Sequence, residues 1–337
     1  MNNIELQNKN GNKISITLRK FQPNDAEKIV NLIHDEYGES YFKPNFYNPQ
    51  YLIDENEIKK IIFLVAECEN GDIVGVLSLN PKDKICDIAT GIVLKKYRGY
   101  NIMWHIFNYA VDEIKNMKNI HAGYCKTVLY HVVTQRLMEK INFVPCGFMM
   151  SEFFTSDTEH SYQKDDNIKH PHGILVRRMQ IESPKIIYLP QEHTEIAKKI
   201  YSKLNLKCKI KNELNNLSGK SEISYNNDES QNSCTIKILS SGEDLITKIN
   251  EIQSKFTAKY QTFNILLNIC DKKSVLAYNE LLKLNYFFTG FLPLFNDIEI
   301  MILHNKMNVP FNFDSLILTE KFSQFKDYVQ NEYLRRY

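Results

Sequence analysis

The sequence predicts an α/β protein in which mixed sheets flanked by helices build two related domains. Three observations carry that expectation. Apolar segments switch repeatedly between a period of two and a helical period along the whole chain. A β-branched run enters a basic, glycine-containing turn and then a helix at Ile92-Val-Leu-Lys-Lys-Tyr-Arg-Gly-Tyr-Asn-Ile-Met103. Finally, Lys140-Ile-Asn-Phe-Val-Pro-Cys-Gly-Phe148 returns 143 positions later as Lys283-Leu-Asn-Tyr-Phe-Phe-Thr-Gly-Phe291, at a helix-to-strand junction in both places.

Ile14 to Leu18 alternates as a strand, and Pro23-Asn24-Asp25 supplies helix-start chemistry for Ala26, Ile29, Val30 and Ile33. Glu36 to Pro49 is an aromatic connection (Tyr37, Tyr41, Phe42, Phe46, Tyr47) that suits either a substrate wall or a lid over the core, and a short helix follows from Tyr51 to Lys60. Ile61 to Cys68 and Ile73 to Leu79 flank Glu69-Asn70-Gly71-Asp72 as a hairpin. Ile85 to Leu94 is the strand entering the basic turn, and Asn101 to Met117 is the helix leaving it. Strand Asn119–Lys126, helix Val128–Lys140 and strand Asn142–Met149 complete the first pattern. Thr155 to Pro171 is a polar loop, Gly173 to Ile181 a last strand, and Glu182-Ser183-Pro184 a boundary.

The second half repeats the order. Ile186–Leu189 is a strand and Pro190 opens a helix; Lys207–Asn212, Ser221–Asn226 and Cys234–Leu239 are strands. Helix Glu243–Phe256, strand Phe263–Cys270, helix Ser274–Leu284, and strands Tyr286–Phe291 and Ile298–Leu303 follow. Phe311 to Tyr337 is an amphipathic helix expected to dock on a domain or on a second copy of the chain, as in a homodimer. The expected domains are residues 1–182, 183–309 and the docking helix 310–337.

Composition narrows the function classes. With 42 basic and 40 acidic residues, the chain lacks the charge excess of a nucleic-acid or anionic-membrane binder. Seven cysteines without a C-x-x-C spacing read as reduced, mostly buried thiols rather than a disulfide frame or zinc site. His160, His170 and His172 are too loosely arranged for a metal site, and none is expected. The start Met-Asn-Asn-Ile-Glu has no signal-peptide pattern, and no apolar run approaches about 18 residues, so a cytoplasmic location is expected.

The basic turn is the candidate binding site. A strand-turn-helix junction aims backbone N–H groups and the positive end of a helix dipole at one spot, which suits a phosphate. Arg98 would add a charged fork to it.

These features together resemble the GNAT superfamily of acyl-CoA-dependent N-acyltransferases over roughly residues 13 to 180. The family's pyrophosphate signature, Gln or Arg, two variable residues, Gly, one variable residue, then Gly or Ala, falls on Arg98-Gly99-Tyr100-Asn101-Ile102-Met103. Its later helix-ending segment is similar to Lys140-Ile-Asn-Phe143 and to Lys283-Leu-Asn-Tyr286. Asn101 stands where the signature has its first Gly, acceptable because Asn enters the left-handed region readily. Met103 replaces a small residue and would crowd a pyrophosphate, and Met138 aligns with the family's frequent acid, a Tyr.

The resemblance implies acetyl-CoA or another acyl-CoA as co-substrate and an amine of a small molecule or peptide as acceptor. Pyrophosphate would lie on Arg98, Gly99, Tyr100, Asn101, Ile102 and Met103, and pantetheine along the backbone of Ile92, Val93 and Leu94. In the second half the matching turn is Ser240-Ser241-Gly242-Glu243, followed by Asp244, and its acidic pair opposes phosphate; the second domain reads as a degenerate copy. Thioester aminolysis needs a neutral amine. A lysine of pKa about 10.4 is neutral about 0.04% of the time at pH 7, and an α-amine of pKa about 7.7 to 8.0 roughly 10 to 17%. A base therefore matters most for a side-chain amine. Asp87, on the strand leading to the turn, is the leading candidate, with Glu67 as the alternative. Tyr130 or His131 is expected as the acid, with Tyr124 nearby and with His131 and Gln135 sharing a helical face toward the ligand. An acyl-CoA-binding or scaffold protein without turnover, in which Met103 and Met138 record lost catalysis, is the competing expectation.

Overall fold

The structure, a computed structural model, describes residues 2–39, 41, 43–153, 170–180, 183–228, 233–260, 262–305 and 311–335. The chain packs as two compact units, Met1–Cys125 and Lys126–Tyr337. The polar loop with His160, Asp165 and Asp166 and the expected domain junctions at 182 and 309 lie outside the described residues.

In the first unit, β1 (Asn2–Gln7), β2 (Lys13–Lys20), α1 (Ala26–Tyr37), α2 (Pro49–Glu57), β3 (Ile62–Cys68), β4 (Ile73–Lys82), β5 (Ile85–Val93) and α3 (Ile102–Lys115) precede β6 (Ala122–Thr127). The sheet runs β1-β2-β3-β4-β5-β6, antiparallel until the parallel β5–β6 pair. β1 was not expected from the sequence: only Ile4 and Leu6 are apolar in it, as befits an edge strand with one wet face. One face of the sheet, including Phe63, Val65, Val76 and Ile92, packs with Ile29 and Ile33 of α1 and Leu52 of α2. The aromatic connection belongs to that layer: Tyr41 and Phe46 are buried in the core, with Tyr37 and Tyr47 packed against it. It is therefore chiefly a lid over the core.

α1 is anchored through Arg19. Its guanidinium grips Asp25 at the helix start through two hydrogen bonds of 2.6 and 2.8 Å and donates to Glu67 at 2.7 Å. α2 starts on Asn48, whose side chain accepts from the Gln50 and Tyr51 N–H groups, with Pro49 in the first turn. On the opposite face α3 buries Ile102, Ile106, Phe107, Ala110, Val111 and Ile114. It comes close because β4 has Gly75 beneath it: a Cβ there would lie 2.9 Å from Ile106 Cδ1.

The second unit contains α4 (Val133–Lys140), β7 (Val144–Phe153), β8 (His170–Arg178), β9 (Lys185–Tyr188), α5 (Thr194–Lys203), β10 (Cys208–Lys211), β11 (Glu222–Asp228) and β12 (Ser233–Ser240). It continues with α6 (Leu245–Phe256), β13 (Thr262–Asn268), α7 (Ser274–Lys283), β14 (Tyr286–Phe295), β15 (Ile298–Asn305) and α8 (Glu320–Leu334). Its sheet runs β8-β7-β14-β15-β13-β12-β11, and β9 pairs with β10 apart from it. α4 begins five residues later than expected because 128–132 forms a turn, and α8 is shorter than the expected helix because 311–319 is irregular. α8 docks on its own unit: Phe322 and Phe325 meet Phe148 of β7 at 5.8 and 5.5 Å between ring centres.

The two segments that match in sequence share a backbone conformation. Asn142 after α4 and Asn285 after α7 both take left-handed φ, 64° and 62°. The repeats meet where Gly147 of β7 pairs with Gly290 of β14, residues equivalent under the 143-residue offset. The strands are so close that a Cβ on Gly290 would lie 2.3 Å from Gly147 Cα. Gly290→Ala is expected to lower the free energy of unfolding by about 1–3 kcal/mol through overpacking, measured by urea titration.

Candidate active site

β5 is built in two parts. From Ile85↔Ala122 to Ile88↔Cys125 it pairs on both sides, with β4 and with β6; the ladder to β6 then ends. On the β4 side, Val76 pairs with Ile92 and Ser78 with Ala89, so Thr90 and Gly91 stand opposite Leu77 in a bulge. Thr90 occupies the left-handed region at φ 52°, unusual for a β-branched residue. The ladder on the former β6 side of residues 89–92 is thus open to a strand-like contact.

The chain then turns into α3. Gly99 (φ 92°) and Asn101 (φ 60°) are both left-handed. Asn101 therefore does what its place in the signature requires. It makes no side-chain cap to α3, so the first N–H groups of the helix keep no partner from that cap. A Cβ on Gly99 would meet nothing within 4 Å. The turn is open and donor-rich, which fits a diphosphate.

Met103 lies over β5: a Cβ on Gly91 would be 3.4 Å from its sulfur. Its side chain is directed onto the strand bulge beside the turn. Arg98 is not directed at the turn. Its Nη2 pairs with the Glu36 carboxylate at the end of α1, and its Nε donates to the Val93 carbonyl at 3.4 Å. The Glu36 side chain is 8% exposed against 46% for Arg98, so the carboxylate is the more enclosed member of the pair. An arginine fork on phosphate requires Arg98 to leave Glu36.

Among the expected bases, Asp87 stands on β5 opposite Asn80 and in register with Tyr124 of β6. Asn80 and Val76 alternate onto the face that carries α1, so Asp87 shares that face with Ile92. Glu67 is placed elsewhere. It pairs with Ile73, and from there to Asn80 β4 extends about 23 Å at about 3.3 Å per residue. Bound to Arg19, Glu67 serves the α1 anchor, and the structure does not bring the two carboxylates together.

Tyr130 and His131 belong to the second unit, ahead of α4, with ring centres 4.9 Å apart. His131 Nδ1 accepts the Val133 N–H at 3.3 Å, supporting the helix start. Gln135 does not share a ligand-facing surface with it. It is fully buried, donates to the His131 and Ile317 carbonyls at 2.8 and 2.9 Å, and accepts from the Thr319 N–H at 2.9 Å. Its work is to fasten the segment before α8. Met138 is buried in the core. All seven cysteines are free, and burial pushes the Cys86 thiol up to about 12. Among the described residues no group of three His, Cys, Asp or Glu side chains is placed to hold a metal, and no helix is long and apolar enough to cross a membrane.

Three partners were not found from the sequence. The Tyr41 hydroxyl and the Lys43 ammonium both donate to Thr90 Oγ1, at 3.2 and 3.3 Å, and Glu36 holds Arg98. The available signal was Gly91, since glycine inside a strand marks a bulge.

The corresponding turn of the second unit is filled by its own chain. The Ser241 N–H donates to Asp271 at 2.8 Å, the Gly242 N–H to Ser221 Oγ at 2.8 Å, and the Glu243 N–H to the Gly219 carbonyl at 3.0 Å. Asp244 accepts from the Ser221 N–H at 2.6 Å, which holds its carboxyl well below the usual carboxylate range.

The acetyltransferase (GNAT) family matches residues 26–143, a segment containing the bulged strand, the open turn and α3. That segment is similar to the GNAT acetyltransferase domain. No curated protein matches the chain. Among solved structures, a point mutant of the spermidine N-acetyltransferase SpeG from Vibrio cholerae is 19% identical with a TM-score of 0.40, covering 49% of this chain and 94% of that one. A GNAT-family acetyltransferase from Streptococcus pneumoniae is 14% identical with a TM-score of 0.40, covering 48% and 99%. The left-handed turn before α3 gives a direct stability test. Asn101→Gly is expected to stay within about 0.5 kcal/mol of the native chain, and Asn101→Val to lose about 1–2 kcal/mol for a β-branched residue at left-handed φ, both read by chemical denaturation.

Proposed function

We propose that the chain is an N-acetyltransferase that moves an acetyl group from acetyl-CoA to an amine acceptor. The observation that carries this reading is the continuity of an open β5 edge, a left-handed turn and an uncapped α3 within the GNAT match. Backbone groups of Ile92, Val93 and Leu94 would hold the pantetheine arm. The turn from Arg98 to Met103 would hold the diphosphate, with Arg98 exchanging Glu36 for phosphate. The bound thioester supplies an activated acyl carbon; the protein's part is to orient it, exclude water and take the proton shed by the attacking nitrogen. Asp87 is the base in this reading, and Tyr130 or His131 remains the proposed acid. Residues 183–309 would be a degenerate copy without cofactor, consistent with the filled turn at Ser241–Glu243.

A second reading, an acyl-CoA-binding protein without turnover, is favoured by Met138 in the core and by the hold of Glu36 on Arg98. Turnover of acetyl-CoA with an amine panel separates the two.

Calorimetric titration is expected to show micromolar acetyl-CoA binding, weakened about 10- to 100-fold in Arg98→Glu. Glu36→Gln is expected to tighten it severalfold by releasing the arginine. Absence of binding to acetyl-CoA and to longer acyl-CoAs would overturn the proposal. Asp87→Asn is expected to lower kcat on the order of 100-fold for side-chain amines, and less for α-amines.

A further inference from the structure

The residue at the centre of the β5 bulge has a use beyond shape. Thr90 Oγ1 receives two hydrogen bonds, from Tyr41 Oη and from Lys43 Nζ. An ammonium can only donate, so one lone pair of the threonine oxygen is committed to Lys43. Tyr41 Oη takes the other. With both acceptor positions filled, the only bonding capacity left to Thr90 is its own O–H, which finds no acceptor among the described residues. Two donors pulling on the oxygen, one of them charged, make that O–H a stronger donor.

The placement is not incidental. Thr90 is half-buried, lies two residues beyond the point where β5 loses β6, and sits at φ 52°, a strained backbone state for a β-branched residue. Burial also raises the Tyr41 phenol far above its ordinary range, so it stays protonated and donating throughout the physiological interval. Lys43 is steadied by the Phe46 ring, 4.9 Å from its Nζ. A strained hydroxyl, polarised from behind and offered at an open strand edge, is arranged to meet something with a lone pair or negative charge.

We propose that Thr90 donates a hydrogen bond to the sulfur of the acyl thioester, stabilising the thiolate as it leaves, with Lys43 and Tyr41 as positioning residues. This rests on the acetyl-CoA reading above. It supplies from β5 the donor that Met138 does not provide. As the amine nitrogen attacks, the C–N bond forms and the C–S bond breaks; sulfur leaves with the electron pair, and the nitrogen's proton passes to the Asp87 carboxylate. The charge on sulfur is held by the Thr90 O–H until that proton is handed on, which closes the balance without any further reactant.

The test uses the full-length chain with Thr90→Val, Thr90→Ser, Lys43→Met and Tyr41→Phe, and it has a readout independent of turnover. The thiol of bound coenzyme A is titrated by its thiolate absorbance. The native chain and Thr90→Ser are expected to ionise the bound thiol at lower pH than Thr90→Val, with Lys43→Met between them. Acetyl-CoA affinity should change less than about 3-fold, while kcat falls on the order of 100-fold in Thr90→Val and recovers in Thr90→Ser. Equal thiol titrations in the native chain and a Thr90→Val variant that still binds coenzyme A would overturn the role of Thr90 and leave the transferase reading standing. Failure of the native chain to bind coenzyme A at all would overturn both.

Discussion

A β-strand whose hydrogen-bond ladder is present on one side and ends on the other must satisfy its remaining backbone groups from water or from a ligand. In this chain β5 meets that condition from Ala89 onward, and much of the first unit is arranged around it. The bulge at Thr90 and Gly91 changes the strand's course just where β6 departs. Gly91 then leaves room for Met103, and Gly75 on β4 leaves room for Ile106, so α3 settles against the strand that delivers it. Because α3 is seated in this way, its N-terminal N–H groups stay fixed beside the left-handed pair Gly99 and Asn101. The open edge and the open helix end are consequences of one local departure from regular sheet.

The second unit runs through a similar order of elements with its turn closed. Its order β12-α6-β13-α7-β14-β15 repeats β5-α3-β6-α4-β7-β8, and the asparagines ending α4 and α7 adopt nearly the same left-handed φ. Yet three consecutive N–H groups of the turn before α6 are taken by Asp271, Ser221 and Gly219. A Cβ on Gly242 would lie 2.3 Å from the Gly219 carbonyl oxygen, so the chain presses directly against that turn. Donors that in the first unit face outward are internal here. The acidic residues noted in the sequence contribute through Asp244, which binds the Ser221 N–H and helps hold the filling segment in place.

Short-range features were legible in the sequence and long-range pairings were not. The strands and helices around the turn, the hairpin at Gly71 and the left-handed role of Asn101 depend on neighbours a few residues away, and each followed from local chemistry. The repeat was legible because it was written twice. The partners of charged side chains were not: Glu36 lies far from Arg98 in sequence and Arg19 far from Glu67, and nothing in the local pattern joins them. Gln135 illustrates the same limit, since helical spacing put it on a shared face with His131, which lies ahead of the helix, while the atoms it serves, at Ile317 and Thr319, belong to a segment almost the length of the second unit away. Thr90 escaped notice because its importance comes from a conformation that threonine seldom adopts.

The Arg98–Glu36 pair sets the terms on which the first unit can take an anion. The Glu36 side chain is the more enclosed member of the pair, so drawing Arg98 away from it carries a cost. A diphosphate arriving at the turn gains the backbone donors of α3 outright, whereas it gains the arginine only by exchange for a carboxylate already satisfied. The exchange is favourable to the extent that a diphosphate carries more charge than Glu36 and that Arg98, half-exposed, spans both positions with little loss of solvation. In the acetyl-CoA reading, backbone geometry would provide the affinity that does not depend on exchange, and the arginine would provide discrimination: an anion too weakly charged to outbid Glu36 would meet the turn without its fork.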